Sequence, residues 1–339
     1  MIFYVVTGLT TAGVSAVLVT LVRAHALRRN ILDLPNSRSS HSVPTPRGGG
    51  IGIVITFCSS LAVLVSLRVL DAKAALMLCV TGLAIAAIGY LDDRRQLSAR
   101  VRFAVHASAA LLTIGVFGGF PVYDLGGWGM GNPWVGAAFS ALVLVWATNL
   151  FNFMDGIDGI AASESIFILA AAAWLNFISG GDRGITSAML NLGAACAGFL
   201  IWNWPPARIF LGDVGSGFLG FTITALILLA CQRGSLPIEI LPILGGVFVV
   251  DATLTLVRRA IRGDRWFEPH RMHAYQHLAR RFNGHRPVTL LVAAVNLLWL
   301  LPWAYFATLF PDRARLFFAA ALLPLVIFAL LAGAGKREQ

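Results

Sequence analysis

Apolar runs of about 20 residues recur along this chain, each long enough to cross a hydrocarbon layer of ~30 Å as a helix. With 58% of its 339 residues apolar, 12% charged and a mean hydropathy of +0.77, the chain lies outside the range of soluble globular proteins. The sequence therefore predicts an all-α, polytopic membrane protein forming one domain over 1–339. Its spans fall at 1–22, 49–67, 74–91, 103–119, 133–151, 159–179, 185–202, 214–231, 236–257, 288–310 and 314–333, eleven helices in all. The first span has no basic residue before it and no small-residue cleavage site after it, which reads as a retained helix and not a signal peptide.

Orientation follows from Lys and Arg. The alternate connections 23–48, 91–102, 152–158, 203–213 and 258–287, with the C-terminal tail, hold 20 of the 26 basic residues. The opposite side holds Arg68, Lys73, Arg183, Arg233, Arg313 and Arg315. The positive-inside rule then sets the N-terminus in the periplasm and the C-terminus in the cytoplasm, with the five basic-side loops on the cytoplasmic face. The net charge of +10 needs no nucleic acid, because topology and anionic headgroups or an anionic substrate account for it. Cys58, Cys79, Cys196 and Cys231 all fall inside predicted spans without Cys-x-x-Cys spacing, and read as small packing residues.

In so apolar a chain, the segment from Ala147 to Ala162 stands out. It sets Asn149, Asn152, Asp155 and Asp158 three apart, with Gly156 and Gly159 directly after the two carboxylates. Steps of three turn by about 300° on an α-helix, so a continuous helix would send Asn149 and Asp158 to opposite sides. A break near Asp155 to Gly159 would gather the polar groups into one pocket. The plainer alternative is a polar turn with Asp158 capping the next helix.

Four other stretches carry polar chemistry. From Asp33 to Gly50, prolines fix an extended segment, and three glycines allow backbone amides, with Arg47, to form an anion site at a helix N-terminus. A flexible basic connector is the alternative. Asp92 and Asp93 are adjacent where the third span leaves the membrane, and either a metal ion, a cationic partner or full solvation would relieve their repulsion. His106, in the next span, reads as a helix-helix hydrogen-bonding group. From Trp202 to Gly220 another carboxylate, Asp213, reaches the cytoplasmic rim. The glycines at 215, 217 and 220 match a dinucleotide fingerprint by letter only, since no βαβ unit surrounds them, and read instead as close-packing positions. Asp251 lies about 10 Å inside its span, either as a functional group or bonded to a neighbouring helix.

The last cytoplasmic loop, 258–287, holds eight arginines and four of the seven histidines, His270, His273, His277 and His285. Phosphate binding, a metal site and simple solvation compete there, with metal binding weakest because no cysteine accompanies the histidines. The connection at 120–132 is rich in Gly and Trp and shows no chemistry.

Taken in order, five motifs resemble those of the polyprenyl-phosphate N-acetylhexosamine-1-phosphate transferases. They are Pro-Asn-x-Arg-Ser-x-His-x-x-Pro-Thr-Pro-Arg-Gly-Gly-Gly from Pro35 to Gly50, Asp92-Asp93, Asn149 to Ala161, Phe210 to Gly217, and His270-Arg-Met-His273-Ala-Tyr-Gln. The resemblance runs from about Asp33 to His277. It implies transfer of an N-acetylhexosamine 1-phosphate from a UDP-sugar to undecaprenyl phosphate, releasing UMP. It further implies a requirement for Mg²⁺, with Mn²⁺ as a substitute, at the cytoplasmic face of a bacterial inner membrane, and allows a homodimer. Carried over by motif, Asp213 resembles the Mg²⁺ ligand and Asp92 and Asp93 the catalytic pair. Asn149, Asn152, Asp155 and Asp158 resemble the nucleotide-side pocket, and Asn203 and Phe210 the uracil contacts. His270, Arg271 and His273 resemble the loop over the diphosphate, where Arg47 would also meet substrate. The phospho-MurNAc-pentapeptide transferases of the same family carry consecutive histidines in that loop, whereas Arg271 and Met272 separate them here. This departure favours the branch that starts O-antigen and other envelope polysaccharides.

A secondary transporter also combines carboxylates, glycines and broken helices. Its sites lie near the bilayer midplane between repeated halves, whereas these candidates lie at the cytoplasmic mouth and no repeat is visible. The sugar cannot be read from the sequence: UDP-GlcNAc, UDP-GalNAc and the 6-deoxy sugars FucNAc and QuiNAc differ by one hydroxyl or one stereocentre.

Overall fold

A computed structural model describes residues 1–35, 43–95, 97–121, 133–264 and 270–337. The expected Gly- and Trp-rich connection lies almost wholly outside these residues, as does the part of the first motif that contains Arg38 and His41. Among the described residues, nine helices are long and apolar enough to cross a membrane. Among the described residues the only strands are β1 (Leu32–Asp33) and β2 (Thr45–Pro46), which pair antiparallel with Leu32 opposite Pro46.

The molecule is assembled around α8 (Asp213–Gln232), whose apolar window is entirely buried. A helix hydrophobic on all sides belongs in the middle of a bundle. It packs against α3 (Ala72–Arg95) and α5 (Pro133–Met154) most extensively, and also against α2 (Gly50–Ser66), α6 (Ile160–Ile178) and α7 (Arg183–Asn203). Glycines make close approaches possible. A Cβ on Gly220 would sit 2.2 Å from the Ala147 carbonyl oxygen of α5, and one on Gly89 of α3 would sit 2.4 Å from the Asp213 carbonyl oxygen. Small residues thus replace the hydrophobic drive that lipid removes between membrane helices. α1 (Ile2–Arg28) lies against α2 and α7, and its Ser15 hydroxyl donates to the Ala195 carbonyl 2.7 Å away. α4 (Ala99–Phe117) lies against α3 and α5.

The expected span at 236–257 is not continuous. It consists of α9 (Ile240–Leu244) and α10 (Gly246–Ile261), parted at Gly245. Pro242 lacks an amide to donate and the Gly245-Gly246 pair offers no side chain to brace the turn. The stretch at 258–287 also contains a helix that its charge does not suggest, α11 (Ala274–Arg281). The next span starts at His285 and runs through α12 (His285–Val295), a π-helical turn at Asn296–Leu300 and α13 (Leu301–Leu309), followed by α14 (Ala314–Ala332). Pro302, two residues beyond the π turn, cannot donate backward, which accounts for the wider turn there. Inside the bundle, Asn296 of that turn donates to Glu164 of α6 at 2.5 Å, both residues being buried.

Candidate active site

α5 ends at Met154 and α6 begins at Ile160, so the helix breaks where the spacing of polar groups requires it. Gly159 takes a positive φ of 74°, a conformation that L side chains rarely adopt, and it is the residue that precedes α6. Asp158 does not cap α6. Its Oδ2 instead accepts from the Ala207 amide at 3.0 Å and lies 3.2 Å from Nδ1 of His285, tying the break to the 203–213 connection and to α12. Asn203 is buried with both ends of its amide engaged: Oδ1 accepts from the Gly159 amide and Nδ2 donates to the Ile209 carbonyl. Asp158 and Asn203 therefore shape the break from within.

The expected cradle of open amides at Gly48 to Gly50 is a correction. The amides of Gly48 and Gly49 donate to the Phe210 carbonyl, and that of Gly50 to the Leu211 carbonyl. The Phe210 amide in turn donates to Pro46 at 2.8 Å. The first cytoplasmic segment and the 203–213 connection thus form one strap, and its amides satisfy each other where an anion would otherwise bind. What the strap delivers is Arg47. Its Nη2 donates to Asp213 Oδ1 at 2.6 Å and lies 2.9 Å from Asp93 Oδ1, and Nη1 lies 4.0 Å from Asp33.

Asp92 and Asp93 point different ways, as neighbours on a helix must, being separated by about 100°. Asp93 turns inward and accepts from the amides of Asp213 and Val214 at 3.1 and 3.3 Å, taking up donors that the first turn of α8 leaves open. Gly212, with φ of 77°, makes room for it: a Cβ there would press within 2.8 Å of Asp93 Oδ2. Asp92 turns toward α4, where Oδ1 accepts from the Leu97 amide and Oδ2 pairs with Arg102, both at 2.6 Å. Asp92, Asn149, Asn152 and Asp213 line one cavity with Arg102, His106 and Thr148. Asn152 and Asp92 reach the Asp213 carboxylate within hydrogen-bonding range, while Asn149 donates its amide back to the Val145 carbonyl of its own helix.

Asp155 completes the cluster from the break itself. Burial pushes its carboxyl well above the ordinary carboxylate range, and Asp213, Asp93 and Asp158 add to the rise against the opposing pull of Arg47. Three carboxylates, Asp92, Asp93 and Asp213, thus face two guanidiniums, Arg47 and Arg102, with the Asp155 carboxyl near them. The excess of negative charge suits a divalent cation, and the oxygen-only donors at Asp213, Asp92 and Asn152 suit Mg²⁺ or Mn²⁺. Among the described residues no three His, Cys, Asp or Glu side chains form a closed metal cage. That also fits Mg²⁺, which takes one or two carboxylates and completes its shell with water and substrate phosphate.

The histidine loop comes down on the same break. His273 is buried and stacks on Phe153, with ring centroids 6.4 Å apart, and His270 packs against it at 4.8 Å. The Tyr275 hydroxyl donates to the Phe153 carbonyl at 3.1 Å, two residues before Asp155. Arg271 lies between the two histidines in the chain and is half-buried. Burial, followed by His273 and Arg259, pushes His270 down to about 3, so its imidazole is neutral at pH 7. The loop is fastened by Asp251, which accepts from the amides of Ala274 and Tyr275 at 2.8 and 2.9 Å, accepts from Thr255, and lies 3.4 Å from His273 Nδ1. Asp251 is therefore an anchor for α11, the bonding role of the two that the sequence left open.

Sequence reasoning passed over Arg102, whose signal was its place one helix turn beyond the α3–α4 connection and facing back toward Asp92. It also read His106 as a helix-helix bond. In the fold the His106 Nδ1 has no hydrogen-bond partner among the described residues, and the ring lines the cavity.

The family model described as glycosyl transferase family 4 matches residues 75–231, the span that carries Asp92, Asp93, the α5–α6 break and Asp213. A decaprenyl-phosphate N-acetylglucosaminephosphotransferase of Mycobacterium tuberculosis is 31% identical over 84% of this chain and 78% of its own length. A probable undecaprenyl-phosphate N-acetylglucosaminyl 1-phosphate transferase of Bacillus subtilis is 29% identical over 84% and 79%. An undecaprenyl-phosphate alpha-N-acetylglucosaminyl 1-phosphate transferase of Escherichia coli is 28% identical over 81% and 77%. With its carboxylates gathered from α3, the α5–α6 break and α8 inside the matched span, this chain belongs to glycosyl transferase family 4, among the polyprenyl-phosphate N-acetylhexosamine-1-phosphate transferases.

Proposed function

We propose that the protein transfers an N-acetylhexosamine 1-phosphate from a UDP-sugar to undecaprenyl phosphate, releasing UMP, in the first membrane step of an envelope polysaccharide. The observation that supports this reading best is the meeting of Asp93, Asp213 and Arg47 from three distant segments, beside Asp92, Asn152 and Asp155. A site that unites a diphosphate with a second phosphate must offset several negative charges, and it needs positioning more than a strong base. A bound Mg²⁺, held at Asp213 with Asp92 or Asn152, would supply that charge neutralisation.

Arg47 offers a fork of donors to the diphosphate. His273 stacks on Phe153 at the break and His270 packs on His273, which brings Arg271, between them in the chain, toward the same end of the site. Arg102 and Asp92 orient the acceptor phosphate, which with a second pKa near 6 is mostly a dianion at neutral pH. An acceptor oxygen attacks the β-phosphorus, the bond from that phosphorus to the bridging oxygen breaks, and UMP leaves with the electron pair. No proton has to be removed from the nucleophile, so Asp92 and Asp93 act by orientation.

The relatives above are named for N-acetylglucosamine, which makes UDP-GlcNAc the first donor to test. Purified protein given Mg²⁺, undecaprenyl phosphate and a panel of UDP-sugars should release UMP and form lipid-linked sugar with one of them. Release of UMP from no member of the panel would overturn the reading. A rapid-quench experiment without lipid should give no burst of UMP, whereas a burst equal to the enzyme concentration with label on Asp92 or Asp93 would establish a covalent intermediate instead.

A further inference from the structure

The histidine loop is held by a segment distant from it in the chain, the one that follows α14. That helix closes on Gly333, whose φ of 98° turns the chain so that the Ala334 amide donates back to the Ala329 carbonyl at 2.9 Å. Gly335 also takes a positive φ, of 72°, and its amide leaves α14 altogether, donating to the Met272 carbonyl at 2.7 Å. A Cβ on Gly335 would lie 3.0 Å from that of Arg258, so conformation and space both call for glycine there. Residues Gly333 to Gly335 are buried, and Arg258 of α10 secures them by donating to the Ala334 carbonyl at 2.7 Å. Two residues further on, Arg337 pairs with Asp264. Asp264 lies 3.0 Å from Arg262, which in turn reaches the Met272 sulfur at 3.7 Å. Met272 is therefore held by its carbonyl directly and by its sulfur through a relay.

We propose that Gly335 and Arg337 are positioning residues for donor binding, and that the segment from Gly333 to Arg337 is a latch that sets the Met272 peptide and, through it, Arg271 and His273. The inference rests on the transferase reading and adds to it residues outside the five motifs and outside the matched span 75–231. Asp251 fixes the loop only where it enters α11, at the amides of Ala274 and Tyr275. Upstream of that point the Arg271 carbonyl accepts from Arg280 at 3.3 Å and the Met272 carbonyl from Gly335, so both peptide planes beside the Arg271 and His273 side chains are held. A loop ordered in advance binds its ligand more tightly than one that visits the right arrangement only part of the time.

Steady-state kinetics of the purified protein, with the UDP-sugar that the panel identifies, separate positioning from a merely structural role. Gly335→Pro removes the donated amide and denies the positive φ, and should raise the donor KM about tenfold, the size of one lost hydrogen bond. Arg337→Ala should raise it about threefold, because an exposed ion pair holds less, and Arg337→Lys should recover most of that loss. The KM for undecaprenyl phosphate should stay within about twofold of wild type in all three, since the latch touches only the histidine loop. Lys336→Ala, an exposed residue between the two contacts, removes the same charge and should leave both constants unchanged. A reversible version uses Asp264→Cys/Arg337→Cys in a background without the four native cysteines. Joined by a bifunctional methanethiosulfonate, the pair should show the wild-type donor KM, and reduction should raise it. This pair carries the test even if Gly335→Pro does not accumulate. Wild-type donor KM in both Arg337→Ala and the reduced pair, equal rises in donor and acceptor KM, or a rise in Lys336→Ala matching that in Arg337→Ala overturns the latch and leaves the transferase reading intact. Absence of UMP release by the wild type with every UDP-sugar sinks that reading itself.

Discussion

Asp213 lies 2.6 Å from Arg47 and stands where α8 begins. An amide at this position keeps the shape and one acceptor oxygen but loses the charge that a hard cation prefers. Asp213→Asn should therefore lower the transfer rate by about a hundredfold or more, with the deficit widening as Mg²⁺ is made limiting. A wild-type rate at limiting Mg²⁺ would remove Asp213 from the ligand set. His270 gives a prediction of different kind. Its ring, held near 3 by burial and by His273 and Arg259, titrates near 6.5 once the chain unfolds. Between these values the unfolded chain binds a proton that the folded protein does not, so this residue makes stability fall as the pH drops from 6.5 toward 3. Thermal unfolding in detergent should show a smaller loss of melting temperature between pH 7 and pH 5 for His270→Gln than for the wild type, and equal losses would contradict the assigned environment.

At the scale of elements, the site depends on how closely α3 and α8 approach. Gly89 sets that distance, since a methyl group there would meet the Asp213 carbonyl oxygen and carbon at 2.4 and 2.6 Å, both backbone atoms that cannot rotate away. Gly89→Ala should push the Asp92-Asp93 end of α3 away from α8 and cut the transfer rate at least about tenfold, since misplacement by about 1 Å is enough for larger losses. Gly115→Ala on α4, where nothing lies within 4 Å, is the control and should leave the rate near wild type. Equal rates for the two variants would show that the approach of α3 to α8 does not position the carboxylates. Much of this architecture was legible in the sequence. The apolar runs located the helices, and the three-residue spacing of Asn149 to Asp158 located the break. What stayed hidden depends on partners distant in the chain: Phe210 occupying the amides of Gly48 and Gly49, and Ala274 and Tyr275 donating to Asp251. The break at Gly245 was readable in Pro242 and the Gly-Gly pair, but the unbroken hydropathy of that stretch concealed it.

For the whole molecule, the carboxylate cluster, the strap and the histidine loop all lie at helix ends, in the connections to which the sequence assigns 20 of the 26 basic residues. Such asymmetry has two physical sources that act in the same direction. Lys and Arg in short loops resist translocation, which would set these connections in the cytoplasm. A substrate carrying a diphosphate is drawn to a basic surface, and its nucleotide is a cytoplasmic molecule. If both hold, Arg68, exposed after α2, and Arg281, exposed at the end of α11, lie on opposite sides of the membrane. Replacing Cys58, Cys79, Cys196 and Cys231 by alanine or serine leaves a background in which single Arg68→Cys and Arg281→Cys variants can be labelled with a membrane-impermeant maleimide. In right-side-out vesicles Arg68→Cys should label and Arg281→Cys should not, and inverted vesicles should reverse the pattern. Transfer should then be supported by UDP-sugar added outside inverted vesicles and not outside right-side-out ones. Labelling of both variants from one side would break the topology. Labelling as expected with transfer in the wrong vesicles would keep the topology and move the active face.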